Sequence, residues 1–370
     1  MDRGLAIVGY PFLPIGMGEH ARSTFRAFQA AGVTPRLVDV ADHRAPPDPD
    51  IDRDFSPFIA EGLGAVNLFC VNGDEAARVI ETAGRKAFDG AYNIIYPAWE
   101  LARYPAPWAK VLQRFDEVWA PSRFIQDAIA GAVTRPVIHM PLAVDLKLSA
   151  FLGRRHFGIP EDDFTVLFFF DVASFADRKN PAAVLRAFEL LAARRPEARI
   201  HCVIKSRGGG EADPGQIALD ARLAALGSRA QAIWGDLSDN EIKNLVRVCD
   251  VFVSLHRSEG FGRGMAEAMA MGRPAIATGY SGNLDFMAPG TSLLVDYALV
   301  PVLPGAYPHG EGQVWAEASS EHASHLIEQL LDDPAGARAM GARGKAHIRT
   351  HFSTEAVGRR YVARLKEIGR

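Results

Sequence analysis

Residues 255–287 read L-H-R-S-E-G-F-G-R-G-M-A-E-A-M-A-M-G-R-P-A-I-A-T-G-Y-S-G-N-L-D-F-M. They follow an apolar strand, Asp250 to Ser254, and run through a glycine-rich loop with Glu259 into an Ala/Met helix with Glu267. A second short strand follows at Ala275 to Thr278. Such a unit points backbone N–H groups and the positive end of a helix at an anion, and carboxylates accept hydrogen bonds from sugar hydroxyls. The stretch therefore predicts a pocket for a nucleotide-activated sugar.

The two glutamates have seven residues between them, and the pieces E-G-F-G, A-E-A-M-A, G-R-P-A-I-A-T and S-G-N flank them in order. This arrangement resembles the large family of retaining glycosyltransferases that use the two-lobed GT-B fold. The resemblance implies that Glu259 contacts the donor sugar and that Glu267 binds the ribose diol. It implies further donor contacts at Gly260, Phe261, Gly262, Arg263, Gly264, Ser174 and Asn283. The residues alone leave open an ordinary crossover unit whose carboxylates are solvated.

Length and composition agree with a two-domain enzyme. A chain of 370 residues fits two domains of about 150 to 200 residues. A net charge of −3 gives no attraction to nucleic acid, and Cys70, Cys202 and Cys249 lie in or beside apolar runs, as reduced core thiols do. Because no apolar run approaches the roughly eighteen residues of a membrane span, we expect a cytoplasmic protein, with contact to the inner face of the membrane left open.

Short apolar runs alternate with helix-length amphipathic stretches, which predicts an α/β protein with parallel sheets. The predicted strands are Leu5 to Gly9, Arg36 to Val40, Ala65 to Cys70, Tyr92 to Tyr96, Glu117 to Ala120, Val137 to Met140, Phe164 to Phe170, Ile200 to Lys205, Ala230 to Trp234, Val251 to Ser254, Ala275 to Thr278 and Ser292 to Val295. They form two doubly wound, Rossmann-like domains, 1–150 and 151–352, which we expect to face each other across a cleft. The apolar stripe of 353–370 predicts a last helix, which resembles the family's helix that packs back on the first domain.

The acceptor is expected on the first domain. After the first strand, Gly16 and Gly18 predict a loop that a ligand approaches closely, with a helix from Glu19; a tight turn is the alternative. At a later strand end, Trp99 and Glu100 suit a sugar, since a ring covers C–H groups and a carboxylate accepts from hydroxyls. The alternative for Trp99 is packing under the loop. This part also resembles the acceptor side of the family.

The leaving diphosphate needs cations and backbone donors. Arg178, Lys179 and Lys205 are the candidates, in loops that resemble the phosphate-binding loops of the family. The family more often has an arginine six residues before the lysine, where this chain has Ala173, so part of the role shifts to Lys205. One of Arg178 and Lys179 is expected to be a solvated residue at a helix start. No metal or other cofactor is expected.

Other chemistry finds less support in the sequence. Asp48 and Asp50 form a D-x-D that holds a metal in another glycosyltransferase fold, but they lie in a proline-rich loop and are read as solvated. No phosphate-binding G-x-x-x-x-G-K-[ST] motif is present. We therefore expect a retaining hexosyltransferase that uses a GDP-mannose or UDP-glucose type donor and a saccharide or lipid-linked saccharide acceptor. A non-catalytic sugar-nucleotide-binding subunit and a GT-B epimerase or phosphorylase stay open as alternatives.

Overall fold

The computed structural model describes residues 4–41, 48–208 and 213–369. The chain divides into two compact units. Unit 1 comprises Met1–Asp145 together with Thr350–Arg370, and unit 2 comprises Leu146–Arg349. Within the described ranges, no helix is both long enough and apolar enough to cross a membrane.

Unit 1 is built on a six-stranded sheet in which every pair of neighbours is parallel. Its strands are β1 (Leu5–Gly9), β2 (Arg36–Asp39), β3 (Val66–Phe69), β4 (Tyr92–Ile95), β5 (Glu117–Ala120) and β6 (Val137–His139). The order is β2-β1-β3-β4-β5-β6, so the winding direction reverses between β1 and β3. Every residue of β3 and β5 is buried, as in a sheet covered on both faces.

Helices cover this sheet, and the first of them begins earlier than the sequence predicts. They are α1 (Gly16–Ala30), α2 (Pro49–Phe55), α3 (Ala76–Ala83), α4 (Arg85–Asp89), α5 (Ala106–Leu112) and α6 (Arg123–Ala130). The expected start of α1 at Glu19 is wrong by three residues, because the residue that precedes the helix, Ile15, offers no side-chain cap to mark it. Where a cap exists, the sequence shows it: the Ser122 hydroxyl accepts from the backbone N–H of Ile125 at the start of α6.

Unit 2 repeats the plan with a second parallel sheet of six strands. They are β7 (Phe164–Asp171), β8 (Ile200–Arg207), β9 (Ala230–Trp234), β10 (Val251–Ser254), β11 (Ala275–Thr278) and β12 (Leu293–Val295). The order is β12-β11-β10-β7-β8-β9, with its reversal between β7 and β10. Ligands of such sheets bind beyond the carboxyl ends of the strands at the reversal. The predicted fold class of two doubly wound parallel sheets is confirmed.

The helices of unit 2 are α7 (Ala176–Lys179), α8 (Pro181–Arg194), α9 (Pro214–Ala225), α10 (Asp239–Val248), α11 (Arg263–Ala270), α12 (Ser320–Asp332) and α13 (Pro334–His351). Between β12 and α12 the chain forms an antiparallel hairpin that the sequence analysis did not predict. Its strands are β13 (Tyr297–Pro301) and β14 (Val314–Ala318). The long connection of 302–313 lacks the short-turn pattern from which hairpins are recognised.

The last helix, α14 (Thr354–Glu367), packs on α1 in unit 1. At Gly358 an added Cβ would lie 1.9 Å from the carbonyl oxygen of Ala27, so the two helices touch through backbone. The Arg364 guanidinium also reaches the fully buried Glu117 carboxylate at 2.6 Å. These contacts fix α14 on the sheet of unit 1.

Candidate functional site

A buried ion-pair cluster lies beyond the carboxyl ends of β7 and β10, where the winding of the unit 2 sheet reverses. Glu259 follows β10, whereas Arg178 and Lys179 lie on α7 after β7. The Lys179 Nζ lies 2.5 Å from Oε1 of Glu259, and Nη1 of Arg178 lies 3.4 Å from Oε2. Each oxygen of the carboxylate therefore faces a cation, although the two sides of the cluster are 80 residues apart in the chain.

The electrostatics of the cluster leave one positive charge in excess. Glu259 is 9% exposed, and burial by itself raises the pKa of a carboxyl group. The charges of Lys179 and Arg178 outweigh burial and lower the pKa of Glu259 to about 2. The carboxylate is therefore ionised at neutral pH, and two cations share one anion.

Arg178 and Lys179 differ in how firmly their side chains are held. Arg178 is 4% exposed, and its guanidinium donates to the carbonyl oxygens of Ser258 at 2.9 Å and Ser174 at 3.1 Å. The Lys179 side chain keeps 19% of its exposure and holds Glu259 through a flexible stem. The expectation that one of these two residues is merely solvated is wrong, because both contact Glu259.

The backbone around Glu259 is held in a fixed shape. Its N–H donates to Oγ of Ser281 at 2.8 Å, and its carbonyl accepts from the N–H of Gly282 at 2.9 Å. Ser281 has φ 75°, a conformation that is rare outside glycine. A Cβ at Gly282 would lie 2.0 Å from the carbonyl oxygen of Gly260. The glycine at 282 is thus required by the close approach of the two loops.

Helix α11 brings its positive end to the same loop. Gly262 precedes it with φ 94°, a conformation open to glycine, and Phe261 packs on Phe286 with ring centroids 5.1 Å apart. A Cβ at Gly264 would lie 2.8 Å from the ring of Phe169 on β7, so the first turn of α11 rests on the sheet. Arg263 and Glu267 are half-buried on this helix, and their donor contacts stay predictions.

Lys205 lies on β8, the strand beside β7. It is 5% exposed, and burial lowers the pKa of its ammonium. It pairs in register with Phe169, so its side chain projects from the same face of the sheet as the ring that supports α11. Within the described ranges, no carboxylate lies within 4.0 Å of the Lys205 ammonium. A buried cation without such a partner is consistent with the predicted diphosphate contact.

A fully buried histidine that the sequence analysis overlooked supports the loop. His256 meets the Ser254 hydroxyl at 3.1 Å through Nδ1 and Oδ1 of Asn283 at 3.1 Å through Nε2. The Asn283 amide also donates to the carbonyl oxygen of Thr278 at 3.0 Å. Burial lowers the pKa of His256, which keeps the ring neutral. The Asn283 side chain therefore makes its hydrogen bonds within the protein. Any contact with a donor would have to come from the Asn283 backbone.

The acceptor-side expectations in unit 1 need correction. Trp99 is 1% exposed, its ring packs edge-on against Tyr104 and Trp108 at 5.6 and 5.2 Å, and its Nε1 donates to the carbonyl of Arg103 at 3.1 Å. It cannot offer a ring face to a sugar in this conformation. Trp99 packs under the loop, whereas the neighbouring Glu100 is half-buried and stays a predicted acceptor contact.

The two glycines are not loop residues, because both lie in the first turn of α1. A Cβ at Gly18 would lie 2.1 Å from the carbonyl oxygen of Leu13 and 2.9 Å from that of Tyr10. Close approach of the chain to itself is therefore sufficient to require a glycine at 18, and its acceptor contact stays a prediction. Gly16 has no atom within 4 Å of an added Cβ, is exposed, and stays a predicted acceptor contact.

The D-x-D pair has a structural task. Oδ1 of Asp48 accepts from the backbone N–H groups of Asp50 at 2.9 Å and Ile51 at 3.3 Å, so it caps α2. Asp50 binds Arg53 at 2.7 Å. The Asp48 carboxylate therefore caps the start of α2, and the Asp50 carboxylate pairs with an arginine of the same helix.

Comparison with known proteins places this site in a family. The sequence model of the family described as glycosyl transferases group 1 matches residues 153–347, more than half of the chain. The chain belongs to this family. The matched region contains all the residues predicted to contact the donor, from Ser174 to Asn283.

Two relatives match over part of this glycosyltransferase chain. A GDP-mannose-dependent monoacylated alpha-(1-6)-phosphatidylinositol monomannoside mannosyltransferase of Corynebacterium glutamicum is 28% identical over 190 residues, 50% of this chain and 42% of the relative. A D-inositol 3-phosphate glycosyltransferase of Thermobispora bispora is 30% identical over 223 residues, 58% of this chain and 45% of the relative. The matches span less than half the length of either relative.

Solved structures agree over the whole chain. Anabaena HepE in complex with UDP and glucose has a TM-score of 0.72 at 13% identity, covering 98% of this chain and 99% of that one. Sucrose-phosphate synthase of Thermosynechococcus elongatus has a TM-score of 0.68 at 16% identity, covering 98% of each chain. At these identities the likeness shows the fold, and the predicted GT-B fold is confirmed.

Proposed function

We propose that the protein is a retaining glycosyltransferase that moves a hexose from a nucleoside diphosphate sugar to a hydroxyl of a saccharide or lipid-linked saccharide. The observation that carries this proposal is the cluster of Arg178, Lys179 and Glu259 beside the start of α11. It combines an excess positive charge, for a diphosphate, with a carboxylate that stays ionised, for sugar hydroxyls. Membership of the glycosyl transferases group 1 family supports the same reaction class.

The charges suggest how the donor is received. The diphosphate binds near the start of α11, and Lys179 turns from Glu259 toward it, because its stem is flexible and partly exposed. Arg178 stays in place, since two backbone carbonyls hold its guanidinium. Lys205 supplies the second phosphate cation in place of the arginine that Ala173 replaces. Glu259 then accepts from the sugar and Glu267 from the ribose.

The donor is proposed to be of the GDP-mannose or UDP-glucose type, and the product a polysaccharide or glycoconjugate precursor. One relative is described as GDP-mannose-dependent, and the neighbour HepE has been solved with UDP and glucose. The experiment is a thermal-shift and turnover screen of the full chain against a panel of nucleotide sugars with simple saccharide acceptors. Stabilisation by one donor, with an α-linked product from an α-linked donor by NMR, supports the proposal. A product of inverted anomeric configuration, or release of an epimerised nucleotide sugar without acceptor, contradicts it.

Protein donors are proposed to replace a metal ion at the diphosphate. Lys179, Lys205 and the positive end of α11 would stabilise its developing negative charge. Turnover should therefore survive excess EDTA. Complete loss of activity that Mg²⁺ restores would contradict this part and make other carboxylates the ligands to seek.

A further inference from the structure

The hairpin of β13 and β14 packs against the ion-pair cluster. Tyr307, in the connection between the two strands, packs against Phe175 with ring centroids 4.9 Å apart. The Arg178 guanidinium lies over the same tyrosine, 5.8 Å from its centroid. Tyr307 is 8% exposed, so its ring fills the space between the hairpin and the segment that carries the two cations.

A second contact comes from Glu317 on β14. Its Oε1 accepts from the Asn180 side-chain amide at 3.1 Å, and its Oε2 accepts from Nε of Arg257 at 2.7 Å. Arg257 in turn donates through Nη1 to the carbonyl of Asp177 at 2.6 Å, and through its backbone N–H to the carbonyl of Arg178 at 2.8 Å. The Glu317 carboxylate thus connects the hairpin both to the segment after β7, through Asn180, and to the segment after β10, through Arg257.

Two further contacts hold Arg257 against β14. The Trp315 ring lies under its guanidinium at 5.5 Å, and the N–H of Ala316 donates to its carbonyl at 2.9 Å. Trp315 is 2% exposed. Arg257 is therefore held by the hairpin through its side chain and its backbone at once.

The segment that the hairpin supports begins after a residue in a strained conformation. Helix α7 has only four residues, and it is bracketed by Phe175 with φ 63° and Asn180 with φ 54°. A phenylalanine keeps such a conformation only when the surrounding structure imposes it, whereas an asparagine adopts the left-handed region readily. Phe175 and Asn180 are two of the residues that the hairpin contacts, through Tyr307 and Glu317 respectively.

We propose that the hairpin is part of the donor site and that Glu317 and Tyr307 are positioning residues for Lys179 and Arg178. They hold the turn of α7, which follows the strained Phe175, in the conformation in which Arg178 pairs with Glu259 and Lys179 can reach a diphosphate. This inference rests on the proposed function, because it assumes that Lys179 binds the diphosphate of the donor. It assigns a role to an element that lies outside the parallel sheet.

The test is a double-mutant cycle read by calorimetric titration of the full chain with UDP and with GDP. Glu317→Gln should weaken binding about tenfold, since it removes a charged hydrogen-bond acceptor from Arg257. Lys179→Met should weaken it more, and the double variant should bind no worse than Lys179→Met alone, because Glu317 acts through the lysine. Glu311→Gln is the matched control: it makes the same change on the exposed tip of the same hairpin and should bind as the parent does.

Fully additive losses in the double variant would overturn the positioning role, as would unchanged binding in Glu317→Gln. If Glu317→Gln unfolds, Tyr307→Ser replaces it in the cycle, and Tyr307→Phe is expected to restore binding because it keeps the ring on Arg178 and Phe175. Equal binding by the Ser and Phe variants would also overturn the proposal. A parent protein that binds neither UDP nor GDP would refute the proposed function itself, an outcome distinct from these.

Discussion

The carboxyl edges of the two parallel sheets differ in how their loops use the residues predicted to bind ligands. In unit 2, Glu259, Arg178 and Lys179 arrive from separate loops and meet each other. In unit 1, Trp99 is covered by other aromatic rings, and Gly18 touches carbonyl groups of its own chain. The difference teaches that the charged residues predicted from separate loops meet in unit 2, whereas the glycine and the tryptophan predicted in unit 1 are explained by packing.

The largest effect on turnover is expected when Glu259, at the centre of the ion-pair cluster of unit 2, loses its charge. Glu259→Gln should lower turnover by about 100- to 1000-fold, because the proposed sugar-facing charge is lost. Affinity for nucleoside diphosphate should stay equal or rise, since Lys179 is released from the carboxylate. The free energy of unfolding should fall by about 3 kcal/mol, as two buried cations lose their partner.

Steady-state kinetics, calorimetry and urea unfolding check these three quantities. Parallel losses of turnover and nucleotide affinity in Glu259→Gln would count against a sugar-facing role. Glu311→Gln, which makes the same change at an exposed glutamate, should leave all three unchanged.

A smaller effect on nucleotide binding is expected when Lys179 of unit 2 loses its charge, and no effect when an exposed lysine of unit 1 does. Lys179→Met should weaken nucleoside diphosphate binding by about 30-fold, because it removes a charge-assisted contact to phosphate while keeping the aliphatic stem. Lys110→Met, at an exposed lysine of unit 1, is the matched control and should bind as the parent does. Calorimetry measures both, and equal affinities would remove Lys179 from the donor site.

The two glycines of α1 test whether the unit 1 pattern reflects packing. Gly18→Ala should lower the free energy of unfolding by about 2 kcal/mol, since the new methyl group meets two carbonyl oxygens. Gly16→Ala should change it little, because the space there is open. Urea unfolding reports the stability, and nucleotide binding by unit 2 should persist in both variants. A Gly18→Ala variant as stable as Gly16→Ala would restore a ligand-based reading of Gly18.

The smallest expected effect is in acid. The folded-state pKa of Glu259 is about 2, below its ordinary 4.5, so the stability from its ion pairs is present above pH 4.5 and is lost as the pH falls toward 2. Within that window, the free energy of unfolding of the parent should fall more steeply than that of Glu259→Gln, by about 1 kcal/mol per pH unit. Urea unfolding across the range measures both slopes. Parallel slopes would show that Glu259 is not held ionised.

The sequence predicts the sheets well because their strands are short apolar runs between polar breaks. Each of the twelve predicted strands has its counterpart in the structure, within one or two residues at either end. The hairpin was missed because its strands are joined by twelve residues and β13 ends in Pro301. Such a ribbon depends on the contacts of its Trp315 and Ala316 with Arg257, which no local sequence pattern records.

The site was predictable in its residues and not in its geometry. Glu259 and Lys179 stand out by their motifs, yet they are 80 positions apart, so their contact depends on strand order. This chain has Ala173 where the family more often has an arginine, and this difference indicated a role for Lys205. The place of Lys205 on β8, in register with Phe169, depends on strand pairing that the sequence does not reveal. His256 carried no pattern of its own, because a single histidine beside a strand is more often packed than functional.

Hydrogen–deuterium exchange of the full chain with and without UDP or GDP tests most directly whether unit 2 carries the donor site. We predict that one of the two nucleotides slows exchange in the peptides that cover 172–180 and 259–267, around the ion-pair cluster and the start of α11. Peptides that cover 10–20 and 96–104, at the matching edge of unit 1, should exchange as before. Protection confined to those unit 1 peptides, or none anywhere with either nucleotide, would contradict the assignment.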